Sequence, residues 1–425
     1  MTSTVYIAKN VYGGDGLGRL GDGRVVFVPG AWAGEQVKAE IVEEKKHFVK
    51  ARLVEVVEAS PDRLSPDRSS SEVEVDNGRL DVVPGMVYAG LKYEAELKAK
   101  EGQLRDFFDR ARISCPGFTS TTLHSSLLPL NYRNKVVYHF AKQKGNWVIG
   151  YRKEPSHELI DIVSDPLARP EINAAIPEVR KAVLSLLTNG PIAVRKATAE
   201  KENVTIRWSK RTGVKWWIGK APDNVVIKEE TCGKVFEVPA GGFYQMNPEV
   251  GEALVRAVVD EVKREGEGGQ RNILDLYCGV GVFGLCAASE LLNRSTTQPL
   301  NVSLIGIESG RQAIEFAKRN AANQKFANAK FFAEEVGRNR KRIPIGANTT
   351  VIVDPPRDGL EPGVAEWLAA SKAPRIIYVS CDPATLMRDL RVITRNYDVS
   401  KVQWFNMFPR TARFETMVVL EKKAR

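Results

Sequence analysis

A strand, a tight turn and the start of a helix are predicted by residues 272–281, which have the sequence NILDLYCGVG. The apolar run at 272–276 is typical of a buried strand, and a helix is expected over 282–290. The glycines between them allow a backbone to approach a ligand closely. This strand–turn–helix unit predicts a nucleotide-type cofactor site in the C-terminal half of the chain.

The next strand supports an adenosine-containing ligand. Residues 303–307, SLIGI, end in Glu308, whose carboxylate is well placed to accept hydrogen bonds from ribose hydroxyls. Gly279, Gly281 and Gly284 have the G-x-G-x-x-G spacing of dinucleotide sites. These residues by themselves therefore leave both NAD and S-adenosylmethionine (SAM) open.

Two later strands end in reactive side chains. Residues 351–353 are followed by DPPR at 354–357, and residues 375–379 are followed by SCDP at 380–383. Because ligands bind beyond the carboxyl ends of strands in open α/β sheets, we expect Asp354 and Cys381 near the cofactor. Hydride transfer needs neither a thiol nor the DPPR turn, whereas methylation at a pyrimidine C5 can use both. The alternative for Cys381 is a buried, unreactive thiol.

Composition limits the class of protein. The chain has 425 residues and a formal net charge of +10, which favours a polyanionic partner, although a merely basic surface would give the same charge. Its five cysteines are scattered, which argues for a reducing compartment and against a disulfide framework or a zinc ribbon. The first residues contain no apolar signal segment, so we expect a cytoplasmic protein.

Three domains are predicted along the chain. Short strands and glycine turns over 1–60 predict a small β-barrel, with cations and Phe48 at 45–52 as a surface for phosphates and bases. A mixed α+β central domain is expected over 61–240, including a charged amphipathic helix at 93–113. Alternating helices and strands predict a parallel α/β sheet over 241–425.

The motifs of the C-terminal half resemble those of the RNA uracil-5-methyltransferase family, a group of SAM-dependent enzymes. The shared motifs, in the family's order, are FYQMN at 243–247, LDLYCG at 274–279, Glu308, DPPR at 354–357, SCDP at 380–383 and FPRTARFE at 408–415. The barrel resembles a TRAM domain through GGDGLGR at 13–19, FVPG at 27–30 and GE at 34–35. YRNK at 132–135 and SH at 156–157 match the family's middle domain.

The resemblance implies a Rossmann-like SAM methyltransferase domain and a role for each motif. Cys381 would be the nucleophile, Glu415 the general base, and Phe243 a contact of the target base. No bound metal is implied by the motifs that are present. The cofactor-binding residues would be Gln245, Tyr277, Gly279, Gly281, Glu308 and Asp354.

Two groups of positions depart from the family. Members usually carry four cysteines for an iron–sulfur cluster, but this chain has no cysteine around residues 66–93, and the matching positions carry Arg68, Met86 and, near the fourth site, Ser164. Since such a cluster needs four thiolates, we expect no iron–sulfur cluster. The family's usual Asp, Gln and His around Glu415 appear as Asn406, Arg410 and Arg413.

The activity expected from these residues is 5-methyluridine formation in RNA through a covalent Cys–C6 adduct. The RNA partner is expected to be 23S ribosomal RNA, because in bacteria a TRAM barrel is typical of the family's ribosomal RNA enzymes. A tRNA enzyme, a cytosine-5 methyltransferase and a non-catalytic RNA-binding protein with a relic SAM domain are the alternatives. No membrane partner is expected, and the protein is expected to be a monomer.

Overall fold

We describe a computed structural model of the chain. The residues that it describes are 2–64, 72–75, 78–81, 83–116, 118–119, 129–153, 156, 158–264, 270–293, 301–340, 343 and 345–424. Arg68 and His157 lie outside this part of the chain.

The N-terminal segment forms a closed five-stranded barrel in the order β1-β2-β3-β5-β4. Its strands alternate buried apolar and exposed polar side chains, so that valines such as Val5, Val26 and Val49 fill the interior. This confirms the predicted β-barrel. The five strands are β1 (Thr2–Asn10), β2 (Gly16–Arg19), β3 (Val25–Val28), β4 (Gln36–Glu44) and β5 (Phe48–Glu58).

A five-stranded antiparallel sheet forms the middle of the molecule, in the order β11-β10-β9-β12-β13, with two helices beside it. The elements from the barrel to the end of this region are β6 (Glu72–Val75), β7 (Gly78–Asp81), α1 (Tyr93–Ala111), β8 (Phe118–Thr119), β9 (Lys135–Gln143), β10 (Asn146–Arg152), β11 (Leu159–Asp161), α2 (Pro170–Thr188), α3 (Ile192–Ala199), β12 (Asn203–Ser209), β13 (Gly213–Ile218), β14 (Val226–Thr231) and β15 (Lys234–Pro239).

The C-terminal part is an eight-stranded sheet in the order β18-β17-β16-β19-β20-β22-β21-β8. Strands β16 to β20 run parallel, and β22 is inserted antiparallel between β20 and β21. The elements are α4 (Pro248–Lys263), β16 (Gln270–Leu276), α5 (Val282–Asn293), β17 (Asn301–Glu308), α6 (Arg311–Asn323), β18 (Ala329–Ala333), α7 (Val336–Asn339), β19 (Thr349–Val353), α8 (Val364–Ala370), β20 (Arg375–Ser380), α9 (Pro383–Ile393), β21 (Tyr397–Phe405) and β22 (Glu415–Lys422).

This sheet confirms the predicted fold class, a Rossmann-like α/β domain that follows a small barrel and a mixed central region. The domain boundaries near residues 60 and 240 stay predictions. Two pieces of the predicted central domain pack differently from that expectation: α1 buries Leu104 and Phe108 in the core of the C-terminal sheet, and β8 is that sheet's edge strand. Among the described residues, no helix is long and apolar enough to cross a membrane.

Candidate active site

A cavity of about 560 Å³ lies at the carboxyl edge of the parallel strands. It lies beyond β16, where the sheet order reverses between β17 and β19, which is the usual ligand position in open α/β sheets. Seven of the eight predicted site residues line it: Gln245, Tyr277, Gly279, Glu308, Asp354, Cys381 and Glu415. The structure therefore brings together side chains that are up to 170 positions apart in the chain, Gln245 and Glu415.

Strand register brings Cys381 and Glu415 to the same place. Strand β20 ends at Ser380, which pairs with Thr416 of the antiparallel strand β22. One step further along this register, the end of β20 gives Cys381 while the start of β22 gives Glu415. The reversed direction of β22 is what places the thiol and the carboxyl beside each other, because in a parallel strand Glu415 would lie at the opposite edge of the sheet.

The glycine turn after β16 has an unusual backbone. Tyr277, Gly279 and Gly281 all have positive φ, at 63°, 54° and 86°. A Cβ at Gly279 would meet no atom within 4 Å, so this position faces open space in the cavity. A Cβ at Gly281 would instead lie 3.1 Å from Leu285, and Gly281 is not among the residues that line the cavity. The contact of Gly281 with the cofactor stays a prediction. In the structure, the positive φ of Gly281 helps to form the turn.

The opposite wall comes from the segment after β15. Phe243 lines the cavity with 75% of its surface exposed, and a Cβ on Gly251 would lie 2.7 Å from Gln245. Two residues outside this segment hold its backbone: Asn134 Nδ2 donates to the carbonyl oxygen of Gln245 (3.1 Å), and buried Arg207 donates to that of Gly242 (2.9 Å). Sequence reasoning noticed Asn134 only as part of a motif and gave it no role.

These residues fit SAM on two observations. The Tyr277 hydroxyl is buried without a hydrogen-bond partner among the described residues, and the left-handed turn leaves an open cradle at Gly279. Glu308 ends β17 and accepts bonds from the backbone N–H groups of Gly279 (3.4 Å) and Gly310 (2.7 Å), which fixes its carboxylate at the cavity wall. Further acidic groups nearby suit a ligand that carries a positive sulfonium charge.

Three acidic groups that line the cavity have raised pKa values, and we call Asp354, Cys381 and Glu415 the cavity cluster. Burial raises the pKa of Asp275 and of Asp354 to about 7. Burial, together with the charges of Glu415 and Asp354, raises the pKa of the Cys381 thiol to about 12. Burial and the neighbouring Asp354 also raise the pKa of Glu415 well above its ordinary value. Titratable groups whose pKa values are strongly shifted by burial and by neighbouring charges are typical of catalytic sites.

A second buried polar group lies next to the loop that leads to Glu415, and we call Glu96, Lys100, Asn406 and Arg410 the paired cluster. Lys100 Nζ donates to Glu96 (2.8 Å) and to Asn406 Oδ1 (2.7 Å). The backbone N–H of Arg410 donates to Glu96 (2.9 Å), and its guanidinium lies 3.6 Å from the same carboxylate. The sequence predicted a charged, amphipathic α1, and gave no signal that two of its charges are fully buried.

No group of three or more potential metal ligands occurs in the part of the chain that the structure describes. Met86 is buried among apolar side chains of the central region, and Ser164 is exposed. The absence of an iron–sulfur cluster stays a prediction.

The predicted basic surface of the barrel is present, but much of its charge is already paired. Lys45 and Lys50 both contact Glu43, at 2.9 and 3.1 Å, and Arg52 pairs with Glu40. These exposed pairs contribute little stability, so a phosphate can replace the carboxylate at low cost. A polyanion could replace these carboxylates and bind the same lysine and arginine side chains.

Comparison with known families agrees with this geometry. Residues 223–423 match the tRNA (uracil-5-)-methyltransferase family model, and residues 2–54 match the TRAM domain model. The first match contains every predicted site residue, and the second contains nearly all of the five-stranded barrel.

Similar proteins cover the whole chain. An uncharacterized RNA methyltransferase of Thermotoga maritima is 29% identical over 99% of both chains, and one of Halalkalibacterium halodurans is 28% identical over 99% of this chain and 96% of its own. A solved structure of Pyrococcus abyssi tRNA (uracil-54, C5)-methyltransferase in complex with S-adenosyl-L-homocysteine covers 98% of this chain and 100% of its own, with 22% identity and a TM-score of 0.70, which shows the shared fold. This chain belongs to the RNA uracil-5-methyltransferase family of SAM-dependent enzymes and carries an N-terminal TRAM domain.

Proposed function

We propose that this enzyme forms 5-methyluridine in RNA, with Cys381 as the covalent nucleophile and Glu415 as the base that removes the C5 proton. The observation that carries the proposal is the placement of a thiol and a carboxyl side by side in one cavity that also contains a fitting cofactor site. A thiol alone would fit many reactions, but the pair of groups matches the two tasks of uracil methylation.

The reaction needs a nucleophile because C5 of uracil attacks a methyl group poorly. The Cys381 thiolate adds to C6, and the electron pair of the C5=C6 bond moves into the ring as an enolate. Gln245, Tyr277, Gly279, Glu308 and Asp354 would hold SAM, which would supply the methyl group to C5 as its S–CH3 bond breaks and leave as S-adenosylhomocysteine. Glu415 accepts the C5 proton, the electrons of that C–H bond restore C5=C6, and the C6–S bond breaks to return the thiolate.

The raised pKa values fit these tasks. The raised pKa of Glu415 favours its protonated form in the ligand-free cavity, so it can act as the base only once a cationic ligand favours its carboxylate. Cys381 is protonated in the ligand-free cavity, since its pKa is about 12. A cationic ligand beside Asp354 and Glu415 would offset their negative charges and favour the thiolate. The chemistry is thus expected to begin only with the cofactor in place.

The uridine must leave its stack to reach the cavity, at a cost of a few kcal/mol that falls in looped RNA. The exposed ring of Phe243 at the cavity wall offers a stacking surface for such a base.

Trapping with a fluorinated substrate tests the chemistry. RNA that carries 5-fluorouridine has no removable C5 proton, so incubation with SAM should leave a protein–RNA adduct that survives SDS. Cys381→Ser should give no adduct, and neither should a reaction without SAM. If Cys381→Ser still methylates RNA, the proposed nucleophile is wrong.

We further propose a ribosomal RNA substrate, which is supported by the barrel and by its exchangeable cations. The second candidate is tRNA, because the Pyrococcus abyssi enzyme named for tRNA uracil-54 matches 98% of this chain. Methylation of total RNA from cells that lack the gene, followed by separation of ribosomal RNA and tRNA and by nucleoside analysis, distinguishes them. 5-Methyluridine in tRNA alone would overturn the ribosomal assignment, and 5-methylcytosine would overturn the reaction. The monomeric state and the cytoplasmic location stay predictions.

A further inference from the structure

Three basic residues form a row across the middle sheet. In the antiparallel register of β9, β12 and β13, Arg207 lies directly opposite Lys135 on one side and Lys215 on the other. Residues that are directly opposite each other in antiparallel strands project from the same face of the sheet, with Cβ atoms about 5 Å apart. We call Lys135, Arg207 and Lys215 the cationic row.

The cationic row lies on the face of the sheet that is turned away from α2. Val136 and Ile206 point to the other face, where they share an apolar core with Ile172 of α2. Side chains alternate between the two faces along a strand, so the neighbouring Lys135 and Arg207 project from the side opposite α2.

This row adjoins the wall of the active-site cavity. The Arg207 guanidinium donates to the carbonyl oxygen of Gly242 (2.9 Å), and Gly242 lines the cavity together with the next residue, Phe243. The ring of Phe243 is also the exposed aromatic surface of that wall. Lys135 and Lys215 therefore flank an arginine that is one hydrogen bond away from the cavity wall.

Glu229 compensates the charge at the centre of the row. It accepts a hydrogen bond from Arg207 (2.9 Å), and both side chains are buried. Neither Lys135 nor Lys215 forms an ion pair with any residue that the structure describes. Lys135 is half-buried, and burial and the charge of Arg207 lower its pKa, whereas Lys215 is exposed. Like charges directly opposite each other destabilise a sheet, so an anion beside the two lysines would be stabilising.

An RNA strand supplies the anion that fits this row. Its phosphodiester groups recur along the strand, and lysine binds phosphate as a flexible point charge. A base that enters the cavity brings its own phosphates to the adjoining surface. A carboxylate-rich protein segment would match the charge of the row, but it carries no base to fill the cavity.

We propose that Lys135 and Lys215 bind backbone phosphates of the RNA strand next to the target uridine, while Arg207 between them fixes the cavity wall. The middle sheet thereby holds the strand and the cavity holds the base. This inference rests on the proposed function, in which a uridine of RNA enters the cavity.

Salt titration of RNA binding tests the two lysines separately from catalysis. Lys135→Gln and Lys215→Gln are compared with Lys142→Gln, the matched control, because Lys142 is an exposed lysine at the other end of β9. The probe is a labelled oligouridine. Each row variant is expected to weaken binding about fivefold and to reduce the slope of log affinity against log salt by roughly one. Lys142→Gln should match the wild type, and no variant should lose SAM affinity or melting temperature.

A charge-preserving variant separates charge from packing. Lys135→Arg should bind oligouridine with the affinity and slope of the wild type, and a loss equal to that of Lys135→Gln would overturn the phosphate contact. Wild-type affinity and slope in both row variants would overturn the whole inference. An equal loss in Lys142→Gln would do the same, because the effect would then come from net charge.

A modified RNA tests the position of the contact. In an oligoadenylate with one uridine, neutral methylphosphonates beside that uridine should weaken binding by the wild type and leave binding by the Lys135→Gln, Lys215→Gln double variant unchanged. Equal weakening of both proteins would overturn the placement next to the target. Wild-type protein that binds RNA but makes no 5-methyluridine would instead refute the proposed function, so the two failures are distinguishable.

Discussion

Residues 406–415 connect the two clusters, because Asn406 and Arg410 belong to the paired cluster and Glu415 belongs to the cavity cluster. Buried charges are compensated in the first and crowded together in the second. In the paired cluster, Lys100 and Arg410 face the carboxylate of Glu96, and Asn406 accepts a further bond. In the cavity cluster, acidic groups face one another, and their pKa values rise. The paired charges hold the loop in place. The crowded acidic groups instead destabilise the folded protein, and such groups are typical of catalytic sites.

The comparison predicts that the two clusters fail differently when they are mutated. Loss of a cavity group should cost activity and spare stability, whereas loss of a paired group should cost stability first.

Cys381→Ser is expected to lower methyl transfer at least about a thousandfold, because the enolate can no longer form by addition of sulfur. Its melting temperature should stay within a degree or two of the wild type. Labelled-methyl transfer and thermal unfolding measure the two quantities. Cys115→Ser, at a half-buried thiol outside the cavity lining, is the control and should keep normal activity.

Glu96→Gln is expected to lower the free energy of unfolding by about 3 kcal/mol, since Lys100 and Arg410 are then buried without their counter-charge. Glu101→Gln is the matched control on the same helix, where Glu101 pairs with partly exposed Arg105 at 2.9 Å. That variant should lose less than about 0.5 kcal/mol. Urea denaturation at neutral pH compares the two. Equal, small losses would mean that the paired cluster does not stabilise the loop.

In contrast to Glu96→Gln, Glu415→Gln should stabilise the protein. It should raise the melting temperature by roughly 3 °C near pH 8, because it removes a buried carboxyl group that is costly to ionise. The folded pKa of Glu415 lies above its unfolded value, so the unfolded chain loses this proton first as the pH rises. Wild-type stability therefore falls from the unfolded pKa up to the folded pKa. Glutamine does not titrate, so its advantage should be small near about pH 5 and grow toward about pH 8.

The same variant should stall after methyl transfer, because no base removes the C5 proton, and leave a methylated protein–RNA adduct that resists denaturation. Normal turnover by Glu415→Gln would mean that another group is the base. A thermal gain that shrinks with rising pH would contradict the raised pKa.

The rate of thiol alkylation tests how strongly Glu415 raises the pKa of Cys381. Burial and then Glu415 raise the pKa of Cys381, so Glu415→Gln should lower that pKa and speed reaction with iodoacetamide near pH 8 by a few-fold. Cys115 is an internal reference, since its pKa is raised by burial without any contribution from Glu415. Site-resolved mass spectrometry reports both rates. An equal change at both thiols would indicate a general opening of the structure.

The smallest effect is expected from iron chelation. Hydrogen bonds within the protein hold the segment before α1 to the Glu415 loop, from Arg410 Nη1 to the Tyr88 carbonyl (3.3 Å) and from Tyr88 N–H to the Arg410 carbonyl (3.1 Å). A chelator should therefore leave melting temperature and activity unchanged. Anaerobically prepared protein should contain no stoichiometric iron or sulfide. Their presence would refute the cluster-free prediction from the missing cysteines.

Much of the site could be predicted from the sequence because its parts are local. A strand that ends in Glu308, DPPR or SCDP carries its reactive residue at a defined point of the backbone pattern, and parallel strands bring such ends to one edge. Five of the predicted site residues line the cavity for this reason, namely Tyr277, Gly279, Glu308, Asp354 and Cys381. Gly281 differs because the G-x-G spacing reports a turn, and cannot tell which glycine faces the ligand.

The sequence by itself determined the barrel, the parallel sheet and the family, and it predicted Cys381 as the nucleophile and Glu415 as the base. Only the tertiary structure decided that β22 runs antiparallel to β20, which brings Glu415 to Cys381, and that Tyr12 of the barrel packs on Phe414 beside Glu415. The tertiary structure also decided the protonation of these carboxyl groups. Glu96 faces a buried cation, whereas Asp354 is buried near another carboxyl group, which raises its pKa. Periodicity along a chain reports local conformation, whereas burial and the sign of a neighbouring charge depend on segments that are distant in sequence.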